Sequence, residues 1–286
     1  MRIPIVRLTQ KWYSTLRSPG DETGNRSGLK IRCSQELVGS TPTPGTMTRS
    51  RLPKQELLCW SPELAYAVGL LVTDGNLSRD GRHMSMRSSD RQLLKVFREC
   101  LGLSNTIAIT GDHRRTDAIR RPSFRVQFGN IELYRWLVRI GLMPNKSRII
   151  GAVEVPDEFF RDFLRGHLDG DGSICTYVDR YNTFKKPQYV YTRLWVRFIS
   201  ASRPHIDWLQ SRITQLCGVK GHRAQSKVYG NRKASIAVLK FGKKESLRLL
   251  RWVYYQPNLP CLERKRTIAD RFILASSPGM ISSAHG

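Results

Sequence analysis

The chain has 286 residues, 40% of them hydrophobic, and its 48 Lys plus Arg against 23 Asp plus Glu give a formal net charge of +25. That length and apolar content suit one large domain or two small ones with a full core, while the cationic surplus exceeds what solubility requires and points to a polyanion, nucleic acid first. No apolar run is long enough to span a bilayer, and basic residues are spread through both halves rather than gathered beside an apolar segment, so no membrane partner is expected. The six cysteines, at 33, 59, 100, 175, 217 and 261, show no C-x-x-C or paired spacing. That pattern disfavours zinc ribbons and a disulfide framework and fits a reducing compartment. The expected location is the cytoplasm in a prokaryote, or the mitochondrion if the basic opening MRIPIVRLTQKWYSTLRS acts as a transit peptide.

In chain order, residues 1–56 mix Arg, Ser, Thr, Gly and Pro without an apolar period and read as a flexible basic tail. The folded part is expected to begin near Trp60. An apolar helix over about 62–74 ends at Gly75 and leads into a hairpin finishing near Ser88. DRQLLKVFRECLG is then an amphipathic helix with Asp90 as N-cap. Strands near 106–110 and 124–128, the helix IELYRWLVRIGL and the segment PNKSRII close a first repeat over 57–152. A second repeat over 153–276 runs in the same order. Its elements are the helix ending DFLRGHLDGDG, a longer hairpin over 173–200, the helix PHIDWLQSRITQLCG, strands near 222–229 and 234–241, the helix KKESLRLLRWVYY and the segment PNLPCLERKRTIADRF. Residues 277–286 read as a disordered tail. Local matches such as FRVQFGNIELYRWL beside IAVLKFGKKESLRLL, and PNKSRI beside LERKRTI, mark an internal duplication.

Each repeat opens with a helix that carries small residues four apart, Ala65 and Gly69 in one, Gly166 and Gly170 in the other, and that ends in an Asp-Gly pair. Residues four apart share a helix face, so two such helices can pack backbone to backbone. Asp74 and Asp171 would then meet near an approximate twofold axis. Converging carboxylates repel unless protonated or bridged by a cation, and their hard oxygens suit Mg²⁺ or Mn²⁺ completed by phosphate and water. Gly75 and Gly172 are expected to act as left-handed helix caps. One Asp-Gly alone is a common helix-to-strand turn. Two copies with small-residue stripes in so basic a chain favour chemistry over a turn.

In these features, residues 60–275 resemble the LAGLIDADG homing endonucleases in their single-chain, two-motif form. The resemblance implies an α+β fold of pseudo-twofold duplicated αββαββα units, with two saddle-shaped antiparallel sheets and the two motif helices packed at the central interface. It implies a monomer that hydrolyses one phosphodiester in each strand of duplex DNA, with Asp74 and Asp171 as catalytic, metal-binding acids. Lys146 and Lys265 match the basic residues the family places around its active site, where an ammonium can stabilise phosphate charge. Val72 departs from the pattern where Asp169 keeps an acid, at a position that is not a metal ligand. His167 is expected to be a packing or hydrogen-bonded residue rather than a base.

Strand periodicity supplies a surface to read DNA. His83, Ser85 and Arg87 alternate with Met84 and Met86, and Arg125 and Gln127 alternate with Phe124, Val126 and Phe128. In the second repeat Tyr189, Tyr191, Arg193, Trp195 and Arg197 share one face, with Val190, Leu194, Val196 and Phe198 on the other. Such ribbons can enter the major groove, where Arg reads guanine and Gln reads adenine. Two half-sites imply a target on the order of 20 base pairs. The connection from Asp171 to Ser202 is far longer than that from Asp74 to Asp90, which implies a non-palindromic target. Two other readings use the same scaffold: an RNA maturase whose partner is intron RNA, and a DNA-binding protein without cleavage.

Overall fold

A computed structural model describes residues 58–110, 122–225 and 235–276. The tails expected at 1–56 and 277–286, and the stretch 226–229 of one expected strand, lie outside the described residues. The first apolar helix, α1 (Pro62–Thr73), starts because the Ser61 hydroxyl accepts from the Leu64 N–H at 3.1 Å, with proline at the first helical position. Nearly all of α1 is buried, which explains a composition too apolar for a surface helix. It is followed by β1 (Gly75–Leu77), β2 (His83–Ser88), α2 (Arg91–Cys100), β3 (Ala108–Thr110), β4 (Ser123–Gly129) and α3 (Ile131–Arg139). After α3 the chain makes a short 3-10 turn, Lys146–Arg148.

The second repeat gives α4 (Phe160–Asp169), β5 (Ser173–Asp179), β6 (Tyr191–Ser200), α5 (Arg203–Cys217), β7 (His222–Gln225), β8 (Ala237–Phe241), α6 (Lys243–Val253) and α7 (Glu263–Ala275). The duplicated α+β order expected from the sequence is present, and each repeat forms one four-stranded antiparallel sheet. Strand order β1-β2-β4-β3 in the first recurs as β5-β6-β8-β7 in the second. Alternation within the strands sends Met84, Met86, Val126 and Phe128 into the core from one sheet, and Leu194, Val196, Phe198, Leu239 and Phe241 from the other.

The repeats join through α1 and α4. A Cβ on Gly69 would lie 2.2 Å from the carbonyl oxygen of Phe163, and one on Gly166 would lie 2.1 Å from that of Tyr66. Each glycine thus faces the residue three before the other glycine, the signature of a local twofold. No side chain fits at either position, so the helix backbones touch.

Three expectations need correction. Gly75 and Gly172 are not left-handed caps, since neither is among the glycines with positive φ. The cap positions belong to Asp74 and Gly170, and α4 ends two residues before Asp171. Glycine is needed at 75 and 172 because a Cβ there would stand 2.5 Å from the Leu71 carbonyl oxygen and 2.6 Å from that of Leu168, as the chain folds back over the last helical turn. Val190 does not join the apolar face of β6: the strand begins at Tyr191, and Val190 is exposed in the connection before it.

Candidate active site at the crossing helix ends

The α1–α4 crossing delivers both Asp-Gly corners to one place. Where a Cβ on Gly170 would sit, Thr73 Oγ1 is 2.0 Å away and Asp74 Oδ2 is 3.0 Å away, so the end of α4 lies directly on the end of α1. Asp74 is half-buried. Burial first, and the charge of Asp171 second, raise its carboxyl to about 6, against the lowering influence of Lys265 and Lys146. Asp171 keeps its surface open to solvent, yet the crowded seam desolvates its carboxyl enough to raise it as well, with Lys146 and Lys265 again opposing.

The two lysines are structural as much as electrostatic. Lys146 is 5% exposed and its Nζ donates to the carbonyl of Gly75. Lys265 is 4% exposed and its Nζ donates to the carbonyls of Leu168 at 2.6 Å, Asp169 at 2.8 Å and Gly172 at 2.7 Å. A cation among C-terminal helix carbonyls is favourable against the macrodipole. Gly75 and Gly172 occupy the same place in the two repeats, so each lysine grips the matching corner. Burial lowers both ammonium groups to about 8, while nearby aspartates hold them up: Asp171 and Asp74 for Lys146, Asp169 foremost for Lys265.

Beneath this seam the repeats differ. Asp169, fully buried, accepts from the Tyr66 hydroxyl at 2.9 Å and from the Leu262 N–H at 2.8 Å, tying α1 to the start of α7. Burial raises its carboxyl to about 6 despite Lys265. The matching residue of α1 is Val72. His167 is likewise buried: its Nε2 lies 3.1 Å from Nε2 of His205, whose Nδ1 donates to the Gly151 carbonyl at 2.8 Å. That chain leaves both rings neutral, and burial lowers His205 to about 4 and holds His167 well below its usual value. The counterparts of this pair in the first repeat are Leu70 and Leu93, by position in the motif helix and by distance from the helix N-cap.

Two small cavities flank the acids. One, about 290 Å³, is framed by Asp74, Asp169, Arg87, Ser88, Ser123 and Arg264. The other, about 130 Å³, is framed by Asp171, His167, His205, Thr73, Ile199 and Ser200. Arg87 is the register partner of Arg125 across β2 and β4, while the matching pair across β6 and β8 is Ile199 and Val238. The sequence reading did not single out Arg264. Its only signal is the placement beside Lys265, where Asn145 precedes Lys146 in the other repeat.

The remaining predicted residues stand along the polar sheet faces, with Ser85 opposite Asn76 and Arg197 opposite Ser173, each two residues past an acid. Ser85 pairs in register with Gln127, and His83 Nδ1 lies 2.5 Å from Asp80 at the hairpin end. On β6, Arg193 is bound to Asp179 at 2.8 Å. Arg197 donates to Ser173 Oγ at 3.2 Å and to Cys175 Sγ at 2.8 Å, and Tyr191 is exposed at the start of the strand. Of the predicted DNA-reading residues, only Arg87 lines a cavity with an acid.

No protein-family model matches the sequence, and no curated protein matches it. Several solved structures are LAGLIDADG proteins. The I-LtrWI LAGLIDADG homing endonuclease bound to target DNA is 13% identical, with 75% of this chain and 89% of that one covered and a TM-score of 0.46. Meganuclease I-SmaMI bound to uncleaveable DNA is 12% identical over 74% and 90% of the two chains, with a TM-score of 0.48. The N-terminal LAGLIDADG domain of DUF199/WhiA is 15% identical over 74% and 88%, at 0.42. At such identities the roles of individual residues are argued from the site itself.

Proposed function

We propose that the chain is a site-specific endonuclease of the LAGLIDADG type that cuts both strands of duplex DNA. The observation that carries this reading is the pairing of two repulsive aspartates at glycine-crossed helix ends with two buried lysines, in a chain of net charge +25. Among the described residues no three His, Cys, Asp or Glu side chains cluster to cage a metal. Two hard carboxylates that take their remaining ligands from water and phosphate suit Mg²⁺ or Mn²⁺, held by Asp74 and Asp171. When bound, such an ion supplies Lewis acidity and a more acidic water.

The protein's own groups do the rest. Lys146 and Lys265, fixed by carbonyls, keep positive charge beside the acids, which favours their ionised forms and offsets charge gathering on a phosphate. Arg87 and Arg264 offer donors for that phosphate beside Asp74. Ser85, Gln127 and Arg125 on one sheet, with Tyr191, Arg193 and Arg197 on the other, form the surfaces that enter the groove.

The test is selection of cleaved ends from a randomised duplex library in Mg²⁺, followed by Asp74→Asn and Asp171→Asn on the selected target. Each variant is expected to lose double-strand cutting by about a thousandfold while binding stays within a few-fold. Full cutting by either variant would overturn the assignment. Binding should also fall steeply with salt, by about 10³ between 50 and 200 mM for six phosphate contacts.

A further inference from the structure

The outer face of α3 differs from that of its counterpart, α6. Aligning the turns Phe128–Gly129 and Phe241–Gly242 sets Ile131 and Val138 of α3 against Lys244 and Arg251 of α6. Ile131 and Val138 are 45% and 44% exposed, so the first repeat shows solvent two apolar side chains where the second has cations. Arg251 also donates to the carbonyl and the hydroxyl of Ser276, each at 2.9 Å, which rests the end of α7 against α6. The first repeat has no closing helix to do the same, because after the turn at Lys146–Arg148 the chain runs on towards α4.

This bare face is one wall of a groove of about 690 Å³, and the turn between β1 and β2 is the other. Residues seven apart on a helix are separated by about 10 Å along its axis, so Ile131 and Val138 mark out a track of that length. Leu58, where the described chain begins, lines the same groove and packs on the core. The residues before it, RLPKQEL at 51–57, therefore leave from the groove itself. Six extended residues reach about 20 Å, enough to follow the track from Leu58. They include Leu52, Pro53 and Leu57, and their Glu56 is the one acid between Glu36 and Glu63. On the α3 wall, Arg135 and Arg139 form no ion pair among the described residues. On the other wall, Asp80 is already held by the His83 ring at 2.5 Å and the Arg82 N–H at 3.0 Å. An acid two residues from Leu58 thus meets cations that lack a partner, and leucines meet an apolar track. A segment tethered beside its site acts at millimolar effective concentration, so a few such contacts hold it.

We infer that residues 52–57 dock in the groove between α3 and the β1–β2 turn, with Leu52 and Leu57 over Ile131 and Val138 and Glu56 against Arg135 and Arg139. No residue lining this groove borders the cavities beside Asp74 and Asp171, so the docking stands whether or not those acids cut DNA. The test is limited trypsin digestion of the full chain, with the cut after Lys54 timed by mass spectrometry. That cut should be about 10-fold slower than in a free peptide of residues 45–60, because cleavage follows the population of the undocked segment. Ile131→Lys with Val138→Lys, which gives α3 cations as on α6, should speed the cut about 10-fold and leave the far-UV circular dichroism unchanged. Leu52→Ser with Leu57→Ser should do the same from the other side of the contact, and Glu56→Gln should speed it about threefold. The cut after Arg17 serves as the internal reference and should keep its rate in every variant. A parent chain cut after Lys54 as fast as the free peptide, or protection that survives the substitutions on α3, would overturn the proposal. So would light scattering that shows a parental dimer turned to monomer by the Ile131 and Val138 changes, since the face would then join two copies of the chain.

Discussion

The two repeats present matching acids on unlike foundations. Around Asp74 lie Arg87, Arg264 and serine hydroxyls in the larger cavity; around Asp171 lie Ile199, two neutral imidazoles and half the space. Under the corners, Lys265 has three close carbonyls and the buried Asp169, whereas Lys146 has the Gly75 carbonyl and Val72 stands where an acid would be. Duplication preserved the helix crossing and its acids, and the surroundings diverged into one half that is more cationic and one that is more internally wired. The backbone geometry that brings the acids together is shared, so it is separable from the chemistry around each.

The largest effect that would test this contrast is on stability. Lys265→Met strands several carbonyls and removes the foremost positive charge acting on the buried Asp169, and should cost about 3–5 kcal/mol. Lys146→Met loses its grip on one corner and should cost about 1–3 kcal/mol. Urea unfolding of both variants decides it, and equal costs would erase the asymmetry.

A middle-sized effect comes from the imidazole pair. His205→Leu alone leaves His167 and the Gly151 carbonyl without their partner and should cost about 1–3 kcal/mol, whereas changing both to Leu, as in the first repeat, leaves only that half-buried carbonyl unpaired and should cost less. The pH sign is definite. His205 is lowered to about 4 from its usual 6.5, so the unfolded chain takes up the proton first, and its stabilising contribution is full above pH 6.5 and fades as pH falls towards 4. The double variant should lack that acid loss in thermal melts across pH 4–7.

The smallest effect concerns the strands of DNA. Arg87→Ile, which copies the second repeat, should slow cutting of one strand about 10-fold by removing a charge-assisted phosphate contact and leave the other strand's rate unchanged. Separately labelled strands in a nicking time course would show it, and equal slowing of both strands would mean that Arg87 does not belong to one acid.

Much of this was legible in the chain. Period-2 alternation in β2, β4 and β6 and the Asp-Gly endings of two apolar helices led to the repeat order and to the meeting of Asp74 with Asp171. Reading by local pattern failed where tertiary contact decides. At Gly75 and Gly172 the Asp-Gly pair suggests a left-handed cap, yet steric approach to the previous turn, not φ, excludes a side chain there. The resemblance sets Lys146 and Lys265 beside the acids, but their burial beneath the helix ends leaves no mark in the lysine's own neighbourhood. The pairing of His167 with His205, and of Asp169 with Tyr66 and Leu262, joins residues far apart in sequence, which no periodicity reports.

The reciprocal contact of Gly69 and Gly166 has a consequence for how such a chain can change. Main chain resting on main chain sets the separation of the two acidic corners, so that dimension is indifferent to nearly every side-chain replacement elsewhere. The sheets and hairpins are thereby free to drift towards new targets, and halves taken from different chains could be fused, provided that two glycines stay where they are.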